Sequence, residues 1–336
     1  MINVNRHWYQ SSYTWLSLLL LPLSWVFRLL VNFRLGLYRF GIKKKYEFNI
    51  PVIVVGNITV GGTGKTPFVI WLANCLKEQG YKPGIVSRGY GGKETLIAPQ
   101  AIAKNSDPAI AGDEAVLLAE RSNCPVMVGI NRVDAVKTLL ASTDCNIVIS
   151  DDGLQHYKLG RQLEIAMVDG ERRFGNQCFL PAGPLREAVG RLKKVDFVVA
   201  QQGAMQNEYE MQLFGEQLVS VKNPLQEKAL TDLAGTKVHA VAAIGNPKRF
   251  FASLKDKGLD VIPHVFPDHY LYEKIDLDFA DDLPVVMTEK DAVKCRVFAN
   301  KKFWFLSVEA KMDSVFRAAL LKKIDQIVLR IKNANS

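Results

Sequence analysis

The stretch Val52-Ile-Val-Val-Gly-Asn-Ile-Thr-Val-Gly-Gly-Thr-Gly-Lys-Thr66, followed by Pro67, decides the fold of this chain. Its β-branched beginning predicts a buried strand, its glycines predict a tight loop, and Pro67 predicts the first turn of a helix. This order is typical of a phosphate-binding loop (P-loop), because backbone N–H groups and the positive end of the helix dipole face the bound anion. Thr59 stands at the first position, where the usual pattern has glycine.

The P-loop predicts how a nucleotide would be held. Lys65 would reach the β and γ phosphates, and the Thr66 hydroxyl would bind Mg²⁺. ATP and Mg²⁺ are therefore the expected cofactors. A glycine-rich turn without a ligand is the alternative for this stretch. The residues expected to surround the phosphates are Thr59, Val60, Gly61, Gly62, Thr63, Gly64, Lys65 and Thr66.

A second stretch, Asn146-Ile-Val-Ile-Ser-Asp-Asp152, predicts an apolar strand that ends in two carboxylates. P-loop enzymes use an acidic residue of this kind to hold the Mg²⁺ that bridges the nucleotide phosphates. The spacing does not separate Asp151 from Asp152. Two solvated turn residues are the alternative interpretation.

After residue 46, short apolar runs alternate with amphipathic segments of helical length, a pattern typical of α/β proteins. The runs are apolar on both faces, as strands covered by helices on each side are. The expected fold class is therefore a P-loop NTPase-type α/β fold with a mostly parallel sheet, helices on both faces and a smaller α/β second lobe. The segment 201–212 shows no strand pattern. The predicted strands lie at 52–55, 126–128, 147–149, 165–168, 197–199, 239–244, 261–266, 285–288 and 303–307.

The N-terminal segment differs from the rest of the chain. No charged residue lies between Trp15 and Phe27, and arginines and lysines follow. The uncharged run is shorter than the roughly 20 residues of a spanning helix, and aromatic residues are spread along it as in interfacial helices. We interpret it as a membrane-associated helix lying in the plane of the membrane, with its basic residues at anionic headgroups. A buried core helix and a spanning helix are the alternatives.

Three domains are expected from these patterns. Residues 1–45 form the interfacial membrane anchor, residues 46–225 form the core domain with the P-loop, and residues 226–336 form the smaller α/β lobe. Asn223-Pro224 marks the boundary between the last two.

Composition narrows the class of partner. The chain has 336 residues and a net charge of +9, which suits a partner that carries phosphate or an anionic lipid surface. Its five cysteines are scattered and never spaced as CxxC, so neither a disulfide framework nor a zinc site is expected. A nucleic-acid-binding module is disfavoured because no aromatic-basic RNA motif, zinc pattern or helix-turn-helix is present. A regulatory or partitioning ATPase that acts on a protein partner remains the alternative function.

Three further clusters carry reactive side chains. Gly112-Asp113-Glu114 places acids at the start of a helix, where helix capping explains them equally well. Pro267-Asp268-His269-Tyr270 places a histidine in a loop, where it is either a general base or surface decoration. Pro181-Ala-Gly-Pro-Leu-Arg-Glu187 joins a rigid turn to an Arg–Glu pair that fits a salt-bridged loop.

Together these motifs resemble the tetraacyldisaccharide 4'-kinase family of lipid A biosynthesis. The resemblance runs in order from the N-terminal segment to about residue 295, and Thr59 agrees with it. Besides the P-loop, it is carried by Ser87-Arg88-Gly89-Tyr90-Gly91, Gly112 to Glu114, Asp151-Asp152-Gly153-Leu154-Gln155-His156, Pro181 to Glu187, Pro267 to Tyr270 and Thr288-Glu289-Lys290-Asp291.

The resemblance implies a reaction and a location. The γ-phosphoryl group of ATP would be transferred to the 4'-hydroxyl of an acylated disaccharide 1-phosphate lipid, which gives the bis-phosphorylated lipid A precursor. The protein would be peripheral or monotopic at the cytoplasmic face of a Gram-negative inner membrane. Its partners would be this lipid and a membrane surface with anionic lipids. No nucleic acid and no protein partner are inferred.

The resemblance also implies roles for single residues. Lys65 would stabilise charge on the transferring phosphoryl group, and Asp113 with His269 would activate the sugar hydroxyl. Arg132 would contact the γ-phosphate, and Arg88 and Arg186 are lesser candidates for contacts with phosphate. The residues expected around the metal are Thr66, Asp151, Asp152 and Glu187.

Overall fold

The structure, a computed structural model, describes residues 7–10, 12–89 and 98–335. Its strands are β1 Val52–Gly56, β2 Pro83–Ser87, β3 Gln100–Ile102, β4 Val126–Val128, β5 Ile147–Ser150, β6 Leu163–Asp169, β7 Phe197–Gln201, β8 Tyr209–Ser220, β9 Glu227–Ala229, β10 Lys237–Ala242, β11 Asp260–Val265, β12 Val285–Thr288 and β13 Phe303–Met312. The α-helices include α1 Trp15–Arg39, α2 Lys65–Glu78, α3 Pro108–Ala111, α4 Asp113–Ser122, α5 Arg132–Ser142, α6 Pro247–Asp256, α7 Glu289–Cys295 and α8 Ser314–Asn335. Short 3₁₀ turns lie at Val189–Lys194, Leu230–Leu233 and Lys274–Leu277.

The strands join into one sheet with the order β11-β10-β12-β13-β8-β7-β6-β1-β5-β2-β4-β3, and β9 pairs with β8. From β8 to β4 every pairing is parallel, with β1 near the middle. Both faces of β1 and β5 are fully buried, which explains their apolar sequences. Strand β2 is buried in the same way but was not predicted, because Pro83 and Gly84 leave only Ile85 and Val86 as an apolar run. The expected α/β fold with a mostly parallel sheet is confirmed.

A second parallel set, β11-β10-β12-β13, forms the smaller lobe. The two sets meet where β13 pairs with β8 in the antiparallel direction, for example at Phe305 and Val219. The expectation that 201–212 lacks a strand is wrong, because β8 begins at Tyr209. Polar side chains interrupt the apolar pattern of β8, since much of its length is only half-buried.

The C-terminal helix α8 returns to the larger lobe. The ring of Phe316 lies 6.0 Å from that of Phe68 on α2, and 4.9 Å from that of Tyr209 on β8. Leu320 and Ile324 of the same helix lie in the core that covers this face of the sheet. The predicted domain boundary at residue 225 stays a prediction. Although α8 follows that boundary in the sequence, its apolar face packs on the core of the larger lobe.

Helix α1 has 25 residues and continues well beyond the uncharged run. Its polar residue Ser24 is buried against the loop near residue 180, where its hydroxyl donates to the Phe179 carbonyl at 2.8 Å and accepts from the Ala182 N–H at 2.9 Å. Most of its large apolar side chains, including Leu23 and Leu30, are exposed. A buried core helix therefore does not fit. Its length and composition would allow it to cross a membrane, and it is consistent with membrane association.

Candidate active site

The P-loop connects β1 to α2 as the sequence predicts, but α2 begins at Lys65, two residues before Pro67. A proline is tolerated there because N–H groups in the first helical turn have no helical partner. Gly64 has a φ of 77°, and a Cβ at this position would lie 2.7 Å from the Met211 side chain. Gly61 has a φ of 109°. Both positions thus favour glycine, which lets the backbone turn tightly before the helix.

The segment Pro181 to Glu187 supports the start of the P-loop. The Val60 N–H donates to the Pro184 carbonyl at 2.8 Å, and Thr59 forms an isolated antiparallel bridge with Leu185. The arrangement gives this rigid turn a structural role, in which it fixes the P-loop beside β1.

Lys65 lies between two acceptors at the end of the P-loop. Its Nζ atom donates to Asn57 Oδ1 at 3.3 Å and lies 3.6 Å from Asp152 Oδ1. Asp152 also accepts from Arg186 Nη1 at 3.1 and 3.0 Å. Burial alone would raise the pKa of Asp152, but the charges of Lys65 and Arg186 hold it well below the ordinary value.

Asp151 has a different environment from Asp152, although the sequence did not distinguish them. One carboxylate oxygen accepts from the Ser87 hydroxyl at 3.2 Å, and the other is buried without a hydrogen-bond partner. Burial, together with the charge of Glu114, raises the pKa of Asp151 to about 7. The charges of Lys65 and Arg132 offset this increase only in part, and a bound Mg²⁺ would supply further positive charge.

No group of three or more His, Cys, Asp and Glu side chains within residues 7–10, 12–89 and 98–335 has the arrangement of a metal site. Protein ligands alone therefore do not form a complete cage there. This agrees with the preference of Mg²⁺ for one or two carboxylates combined with nucleotide phosphates and water. The unpartnered oxygen of Asp151 fits that donor set.

Two other predicted residues are buried beside this pair of carboxylates. Arg132 donates to the carbonyls of Gly129 at 2.6 Å and Asp151 at 3.3 Å, and burial lowers its pKa to about 10. Glu187 accepts from Gln155 Nε2 at 2.7 Å and pairs with Arg191 at 3.3 Å. Sequence reasoning assigned no role to Gln155 itself, but its position in the Asp151 to His156 motif was the available signal.

Asp113 and His269 come together although 156 positions separate them. Asp113 is the first residue of α4 in the larger lobe, and His269 follows β11 of the smaller lobe. The Nδ1 atom of His269 lies 3.1 Å from Asp113 Oδ1. His269 has a φ of 61°, in the left-handed region. Burial would raise the pKa of Asp113, but His269 and the neighbouring Lys290 and Lys294 lower it overall.

A cleft of about 2510 Å³ lies beside these groups. Its lining includes the P-loop, Asp151, Asp152, His269 and, from α1, Phe27. The predicted contact residue Arg88 also lines the cleft. Of its motif, Tyr90 and Gly91 lie outside the described residues.

The cleft therefore combines an anion-binding loop, a carboxylate suited to a cation and an acid–base pair. The sequence missed Lys290 and Lys294, which lie beside the pair. The Thr288 to Asp291 motif was the signal that could have led to them.

Comparisons with known proteins find relatives over nearly the whole chain. The family model described as "Tetraacyldisaccharide-1-P 4'-kinase" matches residues 16–325. A tetraacyldisaccharide 4'-kinase of Coxiella burnetii is 47% identical over 330 residues, with 98% of each chain covered. One from Nitrosococcus oceani is 48% identical over 322 residues, covering 96% of this chain and 94% of the relative.

Among solved structures, an "apo" form of LpxK from Aquifex aeolicus in complex with ATP is similar with a TM-score of 0.77. The two are 27% identical, and the match covers 92% of this chain and 99% of that one. The match of fold, motifs and nearly complete length has one explanation: this chain belongs to the tetraacyldisaccharide 4'-kinase family.

Proposed function

We propose that this protein transfers the γ-phosphoryl group of ATP to the 4'-hydroxyl of tetraacyldisaccharide 1-phosphate. The observation that carries the proposal is that Lys65 of the P-loop lines the same cleft as His269, whose ring contacts the buried Asp113. A hydroxyl acceptor and a nucleotide phosphate could therefore meet between the lobes. The relatives' printed name supports this choice of acceptor.

Nucleotide binding is assigned to the P-loop. Backbone N–H groups from Gly61 to Gly64 and the N-terminus of α2 would receive the phosphates, with Lys65 beside them. The ATP complex of the Aquifex aeolicus relative supports this assignment. Asp151 and the Thr66 hydroxyl would hold Mg²⁺, which supplies charge neutralisation on the phosphates when bound. Glu187 and Asp152 would act in its surroundings, since both already pair with protein cations or donors.

The acid–base pair is assigned to the acceptor. The 4'-oxygen would attack the γ-phosphorus, its proton would pass to the Asp113–His269 pair, and the bond to the β,γ-bridging oxygen would break as ADP leaves. A carboxylate buried beside an imidazole suits this task, because it orients the ring and stabilises the imidazolium that forms. Arg132 and Lys65 would balance the charge on the transferring group.

The membrane contact is assigned to α1. Its exposed apolar side chains would enter the cytoplasmic leaflet of the inner membrane, and its arginines would lie among anionic headgroups. Phe27 and Val31 of the same helix line the cleft, so acyl chains could pass from the membrane to the site. The lipid substrate would thus be phosphorylated while it remains partly in the membrane.

The test is direct transfer of label. Purified protein with γ-labelled ATP, Mg²⁺ and tetraacyldisaccharide 1-phosphate in detergent should yield labelled lipid, whereas the Asp113→Asn variant should yield little. Folded protein that binds ATP but never labels the lipid would refute the assigned acceptor. Hydrolysis stimulated only by a protein partner would instead support a regulatory ATPase.

A further inference from the structure

The motif Thr288-Glu289-Lys290-Asp291 lies next to the Asp113–His269 pair, with Lys290 Nζ 4.0 Å from Asp113 Oδ2. Strand β12 ends at Thr288, and α7 begins at the next residue. The Thr288 hydroxyl caps the helix by accepting from the Asp291 N–H at 3.2 Å. Asp291 and Lys294 lie one turn apart on the same side of α7, so their side chains meet.

These two side chains form a buried ion pair. Lys294 Nζ lies 2.8 Å from Asp291 Oδ1, with side-chain exposures of 2% and 0%. The second oxygen of Asp291 accepts from the Thr288 hydroxyl at 2.6 Å and from the Ala243 N–H at 3.0 Å. Contacts from β12 and from the end of β10 thereby fix Asp291, and Asp291 in turn fixes the lysine.

The lysine is directed at the acid–base pair. Its Nζ atom lies 3.7 Å from Asp113 Oδ2, which has no hydrogen-bond partner, while Asp113 Oδ1 is the oxygen that contacts His269. A buried cation is expensive unless nearby anions compensate it. Here Asp291 compensates the charge of Lys294, and Asp113 is the second carboxylate near the same ammonium group.

Lys294 is not the only charged group near Asp113. Lys290, on the same helix, lies 4.0 Å from Asp113 Oδ2 and 3.4 Å from His269 Nε2, and it lowers the pKa of Asp113 more than Lys294 does. It is also shared with Glu114 at 3.1 Å and Asp268 at 3.3 Å, so its charge is divided among carboxylates of both lobes. Lys294 has no such competitors besides Asp291 among the ion pairs of the described residues.

We propose that Lys294, held in place by Asp291, is a positioning residue for the Asp113–His269 pair. Its fixed charge keeps the buried Asp113 carboxylate ionised and directs Oδ1 towards the imidazole. The inference rests on the function proposed above, in which this pair accepts the proton of the sugar hydroxyl. It gives the Thr288 to Asp291 motif a role in the reaction through Asp113, without contact with substrate.

The sign of the expected effect follows from the charges. A cation near Asp113 lowers the pKa of its carboxyl group. Removing the charge of Lys294 should therefore raise the pKa of Asp113. The acidic limb of the kcat/KM profile should then move to higher pH by about one unit.

The test compares neutral and charge-conserving variants. Lys294→Met should show this shift, and Lys294→Arg should restore most of the original profile. Because Lys294→Met leaves Asp291 buried without its partner, it could unfold, so the double variant Lys294→Met with Asp291→Asn removes both charges together. The double variant should remain folded and show a smaller shift in the same direction, because loss of the Asp291 charge offsets part of the loss of the Lys294 charge. An unshifted acidic limb in either folded neutral variant would overturn the proposal.

A matched control removes a different ion pair between α4 and α7. Arg296 forms a bidentate pair with Glu120, seven residues beyond Asp113 on α4. Arg296→Met with Glu120→Gln should lower stability without moving the pH profile. An equal pH shift in this control would mean that loosening of the helix contact, not the charge of Lys294, causes the effect.

A second readout separates this inference from the proposed function. Titration of the Asp113 carboxyl group by carbon-13 NMR does not require turnover. If wild-type protein fails to phosphorylate the lipid, the proposed function fails, but the Asp113 pKa should still rise in the neutral variants. If transfer occurs and the Asp113 pKa is unchanged in them, only the role of Lys294 fails.

Discussion

The Nζ atom of Lys65 lies 3.6 Å from the Oδ1 atom of Asp152 and shares that carboxylate with Arg186. Asn57 provides a second acceptor for the same ammonium group at 3.3 Å. Two protein groups therefore position the lysine at the end of the P-loop. An ammonium group held in this way can stabilise charge on a phosphoryl group without first reorganising.

Replacing Lys65 should affect turnover far more than folding. We expect Lys65→Ala to lower kcat by at least about a hundredfold, because it removes a preorganised charge at the transferring group. The measurement is label transfer to lipid, with thermal unfolding of the same sample. Lys77→Ala is the matched control, since Lys77 lies in the last turn of the same helix and donates to the Ser122 carbonyl. Near-normal turnover in a folded Lys65→Ala variant would refute the P-loop assignment.

Gly245 should control how closely the lobes approach. A Cβ at this position would lie 2.6 Å from the Gly62 backbone nitrogen, which is too close for any side chain. Gly245→Ala should therefore push the smaller lobe off the P-loop and separate Asp113 from His269. We expect kcat to fall at least about tenfold, since a misplacement of roughly 1 Å is enough to cost more than that.

Gly190→Ala provides the control for Gly245→Ala, because no atom lies within 4 Å of the added carbon. Both variants should be compared by label transfer and by nucleotide binding. Unchanged turnover in Gly245→Ala would show that the contact between the lobes does not limit the reaction.

Asp169 should make the stability of the lobe contact depend on pH. It pairs with Arg172 at 3.0 Å and with Arg249 of α6 at 2.8 Å, and Arg172 also donates to the carbonyls of Gly245 and Gly62. Burial would raise the pKa of Asp169, but the Arg172 N–H and the two guanidinium groups lower it overall. A lowered pKa stabilises the folded state above the ordinary value, and this contribution is lost as pH falls.

The Asp169→Asn variant tests this linkage. At pH 7 we expect the free energy of unfolding to fall by about 3 kcal/mol, because two guanidinium groups lose their buried partner. The difference from wild type should shrink as the pH falls below about 4, because the carboxylate of the unfolded chain binds a proton there while that of the folded protein stays ionised to lower pH. Denaturant unfolding at several pH values measures it. Asp144→Asn, at an exposed pair with Lys82, should change little. A difference for Asp169→Asn that is independent of pH would contradict the assignment.

The outward face of α1 should bind membranes independently of catalysis. Leu23 and Leu30 are both exposed, so changing both to Glu adds charge to the apolar face without disturbing the contacts of Ser24. We expect flotation with anionic liposomes to fall at least about tenfold, since each charge opposes insertion by more than 1.4 kcal/mol. Nucleotide binding and thermal stability should remain unchanged.

Leu329→Glu is the control for this pair, because Leu329 is exposed on α8. It should leave flotation unchanged. Equal flotation of wild type and the Leu23→Glu/Leu30→Glu variant would place the membrane contact elsewhere.

Local patterns in the sequence determined much of this protein. The P-loop between β1 and α2 was predictable because backbone conformation there depends on glycines and on neighbours within a few residues. Most of the parallel strands were predictable because burial on both faces demands continuous apolar runs. Strands β2 and β8 were missed, since the apolar run of β2 is only Ile85 and Val86 and the half-buried surface of β8 leaves none.

Only the tertiary structure decided what each reactive side chain does. Asp151 and Asp152 are adjacent in the sequence, yet one has an unpartnered buried oxygen and the other pairs with Lys65 and Arg186. Asp113 and His269 belong to different lobes, and their contact depends on the antiparallel pairing of β13 with β8 that joins the lobes. The physical reason is that charge, burial and hydrogen bonding act through space, so they depend on residues that no local pattern specifies.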